Sequence, residues 1–304
     1  MKSIGIIGQG FVGTAIFEGM KHAFDIVAYD IKTGMKRVIG GVESTEVVED
    51  TPSTSAIRAG YFKILQETDG PIFVCIPTPM NPDGSCNTKI VEGVLEVLSD
   101  LNRRFKPRVA CVKSTMTPGT TAHFDEMFDH LHVCYNPEFL TERNAIEDFK
   151  NQDRIIIGGP REGTNVLKQM YETAYPDVPV TKTSSTIAEL VKYTTNCFLA
   201  TKVSFANELA SLCEKLGEDY DKVVEYATKD KRLGTSHWAV PGPDGKKGFS
   251  GSCFPKDLNA LMKLFEEKGL ECNTMKGAWE TNLRVRPEQD WNELKGRAVT
   301  SFES

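Results

Sequence analysis

The chain has 304 residues, 40% hydrophobic and 26% charged, with 36 Lys and Arg against 42 Asp and Glu, a net charge of −6. This composition excludes a disordered, collagen-like or coiled-coil chain, and no apolar run approaches the roughly 18 residues of a membrane-spanning helix. A mildly acidic chain without a basic tract argues against nucleic acid and membrane surfaces as partners, and the length suggests two domains at about 150 residues each.

Met1 and Lys2 lead straight into Ser3-Ile4-Gly5-Ile6-Ile7-Gly8, too short an apolar run for a secretory signal, so a cytoplasmic location is expected. Apolar runs at 4–7, 25–29, 72–76, 109–113, 132–135 and 154–157 predict strands, and helical periodicity at 12–23, 89–101 and 120–128 fills the gaps. Continuous apolar strands alternating with helices predict an α/β domain, a doubly wound parallel sheet of the Rossmann type. A helix over 161–176 and a short strand near Val180 complete this domain, expected to span 1–183. Residues 185–216 contain no Pro or Gly; Ile187, Leu190, Val191, Phe198, Leu199, Val203, Phe205, Leu209 and Leu212 recur at helical spacing, and Gly217 supplies a stop. Thirty-two residues make a helix of roughly 48 Å, long enough to join two domains or two subunits. Shorter helices are predicted at 219–228, 257–268 and 275–283, giving a mainly helical domain over 184–285; residues 286–304 form a polar tail, expected to fray in part. The eight cysteines include no Cys-x-x-Cys, and Cys75 and Cys111 lie inside apolar runs, so reduced, buried thiols are expected, with no disulfide framework and no metal site.

Gly8-Gln9-Gly10-Phe11-Val12-Gly13 follows the first predicted strand and opens the first predicted helix; Asp30 ends the second strand, 22 residues after Gly8. Glycines here let the backbone approach a pyrophosphate at a helix N-terminus, and the carboxylate takes the ribose hydroxyls. Gly8, Gly10, Phe11, Val12, Gly13 and Asp30 thus predict an NAD site, since Asp30 repels a 2′-phosphate, although Lys32 softens that preference. The alternative is a glycine-rich turn that holds no nucleotide. Cys75-Ile76-Pro77-Thr78-Pro79 and Lys113-Ser114-Thr115 end two more strands at the same sheet edge, placing Thr78 and Thr115 among the expected cofactor contacts.

Three further patches carry reactive groups: 136–140 with Glu142, 192–196, and 248–257. Lys192 and Asn196 stand at i and i+4 on one helix face and suit an oxyanion or a bound water; the plainer reading is a solvated lysine beside a packing asparagine. Cys253 lies in a glycine-flanked turn before a predicted helix, where the helix N-terminus and a cation such as Lys256 favour the thiolate. Beside a nicotinamide, a nucleophilic cysteine suits covalent chemistry on an aldehyde. The plainer reading is one more small hydrophobe.

In this order behind this start, the G-x-G-x-x-G turn, Asn136-Pro137-Glu138-Phe139-Leu140, Glu189-Leu190-Val191-Lys192-Tyr193 with Asn196, and Gly248-Phe249-Ser250-Gly251-Ser252-Cys253-Phe254-Pro255-Lys256-Asp257 resemble the UDP-glucose/GDP-mannose dehydrogenase family over residues 1–285. The resemblance implies a four-electron oxidation of a nucleotide sugar by two NAD+. Phe254 after the cysteine points to UDP-glucose, since the GDP-mannose and N-acetylmannosamine members more often carry Leu there. It implies Cys253 as nucleophile, Asp257 and Lys192 in proton transfer, and Lys192 with Asn196 polarising the substrate oxygen. Glu138 would serve thioester hydrolysis and Thr115 would lie near the water and nicotinamide. Lys256 and Glu142 would lie near cofactor, and Phe139, Leu140, Phe249 and Gly251 near substrate. Arg232 would reach a neighbouring subunit's substrate site, and the helix over 185–216 would form the core of a homodimer. The family usually adds a third domain that grips the nucleotide; the sequence ends soon after Cys253, so a different grip, a partner's contribution or a shortened form is expected. Lys246 and Lys247 suit a diphosphate or an ordinary exposed loop, and Trp238 suits stacking or packing. Two other functions stay open: a two-electron β-hydroxyacid dehydrogenase, which needs no Cys253, and a non-catalytic NAD-binding module.

Overall fold

The computed structural model describes residues 1–47, 52–103 and 105–301. These fall into two compact units, the first made of Met1–Thr78 and Thr88–Lys192, the second of Pro79–Asn87 and Tyr193–Ser304. The first runs β1 (Ser3–Ile7), α1 (Phe11–Met20), β2 (Asp25–Asp30), β3 (Gly34–Ile39), β4 (Val42–Glu46), α2 (Thr54–Glu67), β5 (Ile72–Val74), α3 (Lys89–Asn102), β6 (Arg108–Val112), α4 (Thr120–Met127), β7 (Leu131–Tyr135), α5 (Ala145–Lys150), β8 (Ile155–Gly158), α6 (Arg161–Ala174) and β9 (Val180–Thr183). Helix α7 (Ser185–Leu216) starts in the first unit and continues into the second, followed by α8 (Tyr220–Ala227), α9 (Phe254–Glu267) and α10 (Asn273–Val285).

The nine strands form one sheet in the order β4-β3-β2-β1-β5-β6-β7-β8-β9. Side chains alternate between its faces, as the two-residue period requires. Ile4, Ile6, Phe73, Cys111 and Cys134 pack on one side with α1 and α6 residues such as Phe17 and Leu167. Ile7, Ile72, Val74, Ala110, Val112 and Val133 pack on the other with Ile64, Leu95 and Phe124 of α2, α3 and α4. Helices on both faces explain why the strands read as continuous apolar runs, and the α/β doubly wound reading holds.

The sheet is mixed, where a parallel one was expected. β1 pairs parallel with β2 and β5, but β2 with β3, β3 with β4, and β7 with β8 are antiparallel. The unforeseen β3–β4 hairpin turns on Gly40 and Gly41, at φ +57° and +81°. Only two residues separate the paired Ile39 and Val42, so left-handed φ at both is what a two-residue hairpin asks for.

The second unit has its own core of Tyr193, Cys197, Ala200, Phe249, Leu258, Ala260 and Leu261. Residues 286–301 are folded, where partial fraying was expected over 286–304. Trp291 is 1% exposed and lies 5.3 Å from the Trp279 ring, and Met80 exchanges backbone hydrogen bonds with Ala298 and Thr300. Among the described residues no helix is long and apolar enough to cross a membrane.

α7 is 32 residues long; Tyr193, Cys197 and Ala200 join the core of the second unit and Val203 packs against it, but much of the predicted apolar stripe faces outward. Ile187, Leu190, Phe198, Phe205, Leu212 and Leu216 are exposed, Phe198 by 68%, whereas Glu189, Lys192, Asn196 and Asn207 are buried.

Candidate functional site

At the carboxyl edge of β1 the backbone needs its glycines for three different reasons. Gly8 sits at φ +91°, and a Cβ there would stand 2.4 Å from the Cys75 carbonyl oxygen. A Cβ on Gly13 would lie 1.9 Å from the Gly8 oxygen. Gly10 meets nothing within 4 Å and caps α1 with φ −68°, so neither sterics nor strain in the protein demands glycine. An open backbone at an α1 start that no side chain caps is what a pyrophosphate requires. Phe11 and Val12 form the first turn of α1. Asp30 accepts from the backbone N–H of Gln9 at 2.9 Å, Lys32 at 2.8 Å and Thr33 at 3.3 Å. That clamps the turn to the end of β2 and uses three of the roughly four acceptor sites of a carboxylate, leaving capacity for a ribose hydroxyl. The residues present fit a dinucleotide.

The loops after β5, β6 and β7 are tied to one another. Thr78 Oγ1 donates to the Thr115 carbonyl at 2.8 Å, and Ser114 Oγ accepts from the Ile76 N–H at 3.2 Å. Behind them Lys113, 4% exposed, donates to Asn136 Oδ1 at 2.7 Å, which also accepts from Tyr171 Oη. Asn136 Nδ2 donates to the Ile156 carbonyl at 2.6 Å. Burial lowers the Lys113 ammonium's proton affinity.

Lys192 is not a solvated lysine. Its side chain is 4% exposed and that of Glu138 7%, and the two pair at 2.8 Å. Lys192 Nζ also donates to the Glu138 carbonyl at 2.6 Å, and Glu138 accepts from the Leu140 N–H at 2.7 Å. Burial pushes the Glu138 carboxyl up, but the Lys192 charge and hydrogen bond, the Leu140 N–H and the Lys113 charge outweigh it and hold it below the usual carboxylate range. Phe139 packs under the Arg154 guanidinium at 4.5 Å.

In the second unit Cys253 is the N-cap of α9, with Pro255 in the first turn. Gly251, at φ +79° with open space where a Cβ would be, makes the turn. Lys256 pairs with the fully buried Asp257, and Asn196 donates to the other Asp257 oxygen at 2.6 Å. Burial works against the Lys256 charge; Asp257, Cys86 and Cys253 more than offset it, and its proton affinity is raised. Cys253 thus lies within Coulombic reach of the Lys256 ammonium. Lys192 and Asn196, one helical turn apart, thus bond to different partners, Glu138 and Asp257.

Other expected residues are placed as follows. Arg232 is exposed and pairs with Asp230 at 2.5 Å, and Glu142 is exposed. The Phe249 ring is core, between Phe254 and Trp279. Trp238 packs on Phe205 and donates to the Gly234 carbonyl, so packing describes it. Lys246 pairs with Glu288 and Asp290, and Lys247 with Glu214. The sequence reading missed what holds the cysteine loop. Asn282 both accepts from the Phe249 N–H at 2.7 Å and donates to its carbonyl. Arg286, 2% exposed, bonds Asp244 and Asp290 at 2.6 and 2.7 Å, and Asp290 accepts from Ser250. Only the following Trp291 hinted that this segment folds back.

A Rossmann unit with a pyrophosphate turn, followed by a helical unit with a cysteine at a helix start, defines a dinucleotide-dependent dehydrogenase class. Residues 2–175 match the NAD binding domain of the UDP-glucose/GDP-mannose dehydrogenase family and residues 186–284 its central domain. The chain belongs to that family. It is 36% identical over 233 residues to a UDP-glucose 6-dehydrogenase of Rickettsia conorii, covering 75% of this chain and 51% of that one. A UDP-glucose dehydrogenase structure from Pyrobaculum islandicum matches with TM-score 0.77 and 30% identity, covering 93% of this chain and 68% of that one. A 3-hydroxyisobutyrate dehydrogenase structure from Mycobacterium tuberculosis, 16% identical with TM-score 0.68 and covering 95% of each chain, shares the fold. The chain spans about half to two thirds of the length of the curated relatives it matches.

Proposed function

We propose that the chain oxidises UDP-glucose to UDP-glucuronate with two NAD+, through a thiohemiacetal and a thioester on Cys253. The observation that carries this reading is Cys253 at the start of α9 with Lys256 and Asp257 one turn on, a set that a two-electron β-hydroxyacid dehydrogenase does not use. Gly8, Gly10, Gly13 and Asp30 hold the dinucleotide, with Thr78, Thr115, Glu142 and Lys256 as further contacts; bound NAD+ supplies the two hydride acceptances. Asp257 takes the proton of the C6 hydroxyl as the aldehyde forms. Cys253 Sγ then bonds to the aldehyde carbon, and Lys192 and Asn196 hold the oxygen of the thiohemiacetal. Asp257, having passed the first proton to solvent, takes the proton of that oxygen as the second hydride leaves to NAD+ and the thioester forms. Glu138, kept ionised by Lys192 and Lys113, takes a proton from the water that attacks the thioester carbon. The C–S bond breaks, and carboxylate and Cys253 thiol are released. Phe139, Leu140, Phe249 and Gly251 shape the substrate side.

The working form we infer is a homodimer through α7, because its exposed apolar stripe needs cover; Arg232 would then serve the neighbouring chain. The test is NADH formed per UDP-glucose consumed under excess NAD+. Two per sugar, lost in Cys253→Ser, is expected. One per sugar, unaffected by that substitution, favours the two-electron reading suggested by the shared 3-hydroxyisobutyrate dehydrogenase fold. NAD binding without turnover on any sugar nucleotide favours the non-catalytic module.

A further inference from the structure

Glu189 has no part in the chemistry proposed for the site. It is fully buried on α7, one turn before Lys192, and among the described residues no ion pair to it is seen. Its partners come from about seventy residues earlier in the chain. Oε2 accepts from the Gly119 N–H at 2.6 Å, and Oε1 accepts from the Thr121 N–H at 2.9 Å and from Thr121 Oγ1 at 2.5 Å. Burial pushes its carboxyl up to about 7 despite those donors. Helix starts are ordinarily capped by a side chain at the cap position itself. Here the cap position is Gly119, at φ +99°, which has none, and a buried carboxylate from another helix is used instead. Burying a carboxylate without a cation is costly, so stability alone does not explain the choice.

The capped segment explains it better. Residues 113–119 link β6 to α4 and carry Thr115. At the near end Thr78 holds the Thr115 carbonyl at 2.8 Å and Lys113 is locked onto Asn136; Met116 is fully buried. Glu189 fixes the far end. Three residues along the same helix, Lys192 fixes the Glu138 loop. One turn of α7 therefore clamps the loops after β6 and β7, the two that offer Thr115 and Glu138. We propose that Glu189 is a positioning residue that holds the 113–119 loop so that Thr115 keeps its reactive placement; this rests on the function proposed above.

The test is a double-mutant cycle of Glu189→Gln and Thr115→Ala, assayed at pH 8 with UDP-glucose and NAD+, with a melting curve for each variant. Glutamine keeps one acceptor oxygen for Thr121 but turns an N–H toward Gly119. We expect kcat to fall at least tenfold with KM for UDP-glucose within about twofold, and the loss to vanish in the Thr115→Ala background. Additive losses, or a kcat loss matched by KM, would overturn the proposal. If Glu189→Gln does not fold, Thr121→Val removes one donor from the same cap and must show the same non-additivity. Amide hydrogen exchange over 113–121 is read in parallel. If the wild type turns over no sugar, the function fails on its own, and exchange decides the clamp. Faster exchange in Glu189→Gln confined to these residues supports it, and unchanged or global exchange overturns it.

Discussion

Glu138→Gln separates the stability of the buried ion pair from the chemistry assigned to it. The pair is nearly dry, with side chains 7% and 4% exposed at 2.8 Å, and removing one partner of such a pair leaves an uncompensated charge at roughly 3–5 kcal/mol. Lys192 keeps the Glu138 carbonyl at 2.6 Å and glutamine keeps an amide oxygen, so the loss sits near the low end, about 3 kcal/mol. For a domain of this size that lowers Tm by roughly 6–12 °C. The folded Glu138 carboxyl binds its proton more weakly than the unfolded one, whose ordinary value is 4.5. Its stabilisation is therefore complete above that value and is lost as pH falls through the lower folded value. Wild type and variant melting curves should separate fully at pH 7 and converge below pH 4.5. Kinetically, hydrolysis should slow by about 10²–10⁴ with loss of the general base, while attack by Cys253 is untouched. Rapid mixing should show a burst of two NADH per active chain, then near arrest, with an acyl adduct on the Cys253 peptide by mass spectrometry. Wild-type turnover, or slow turnover without burst and adduct, would refute the assignment; an unchanged Tm would refute the ion-pair argument.

The second and third glycines of the pyrophosphate turn should fail differently. Gly13→Ala collides with the Gly8 oxygen at 1.9 Å and should lower Tm by several degrees, whereas Gly10→Ala meets open space and should keep Tm within a degree or two but weaken NADH binding at least tenfold in a fluorescence titration. Phe198→Glu with Phe205→Glu places two charges on the exposed stripe of α7 and should halve the sedimenting mass; an unchanged mass removes α7 from the interface. Arg286→Lys keeps the charge but loses the fork that spans Asp244 and Asp290. With the Ser250–Asp290 bond loosened, kcat should drop while NADH affinity stays, and a parallel loss of both would argue for general unfolding.

What was legible in the sequence followed from local rules. Strands buried on both faces read as apolar runs, and the glycine turn with Asp30 carries its geometry in residue types. The β3–β4 hairpin was also legible, because Gly40-Gly41 between Met35–Ile39 and Val42 is a two-residue turn signal. It was passed over because β4 is exposed along its whole length and so lacks the alternation that marks a strand. Helix α2 is mostly polar at its start and announces itself only through the Ser53 cap on Ala56. The partners of the site residues were out of reach: nothing in local spacing says that Lys192 meets Glu138 while Asn196 meets Asp257, or that Arg286 holds a loop forty residues earlier.

α7 shows that a periodic apolar pattern gives a helix without saying what covers each of its faces. Its buried side carries Ala188, Tyr193, Cys197, Ala200 and Ala206 and, beside them, a row of polar groups. Glu189 bonds Gly119 and Thr121, Lys192 bonds Glu138, Asn196 bonds Asp257, Ser204 bonds the Ala278 carbonyl, and Asn207 holds the Gly248 N–H. Each group carries a desolvation cost of a few kcal/mol that its hydrogen bonds only offset, and leucines of like volume would do as well for stability. A helix that buries this many polar groups and exposes Phe198 and Phe205 is only partly explained as a packing element. It is better explained as a rod whose buried face also arranges charges and amides for chemistry, and whose exposed apolar residues are the surface proposed for the homodimer. The family resemblance, not the spacing, is what put this helix at the core of an expected homodimer, because one chain's sequence does not say which hydrophobic surface it covers itself.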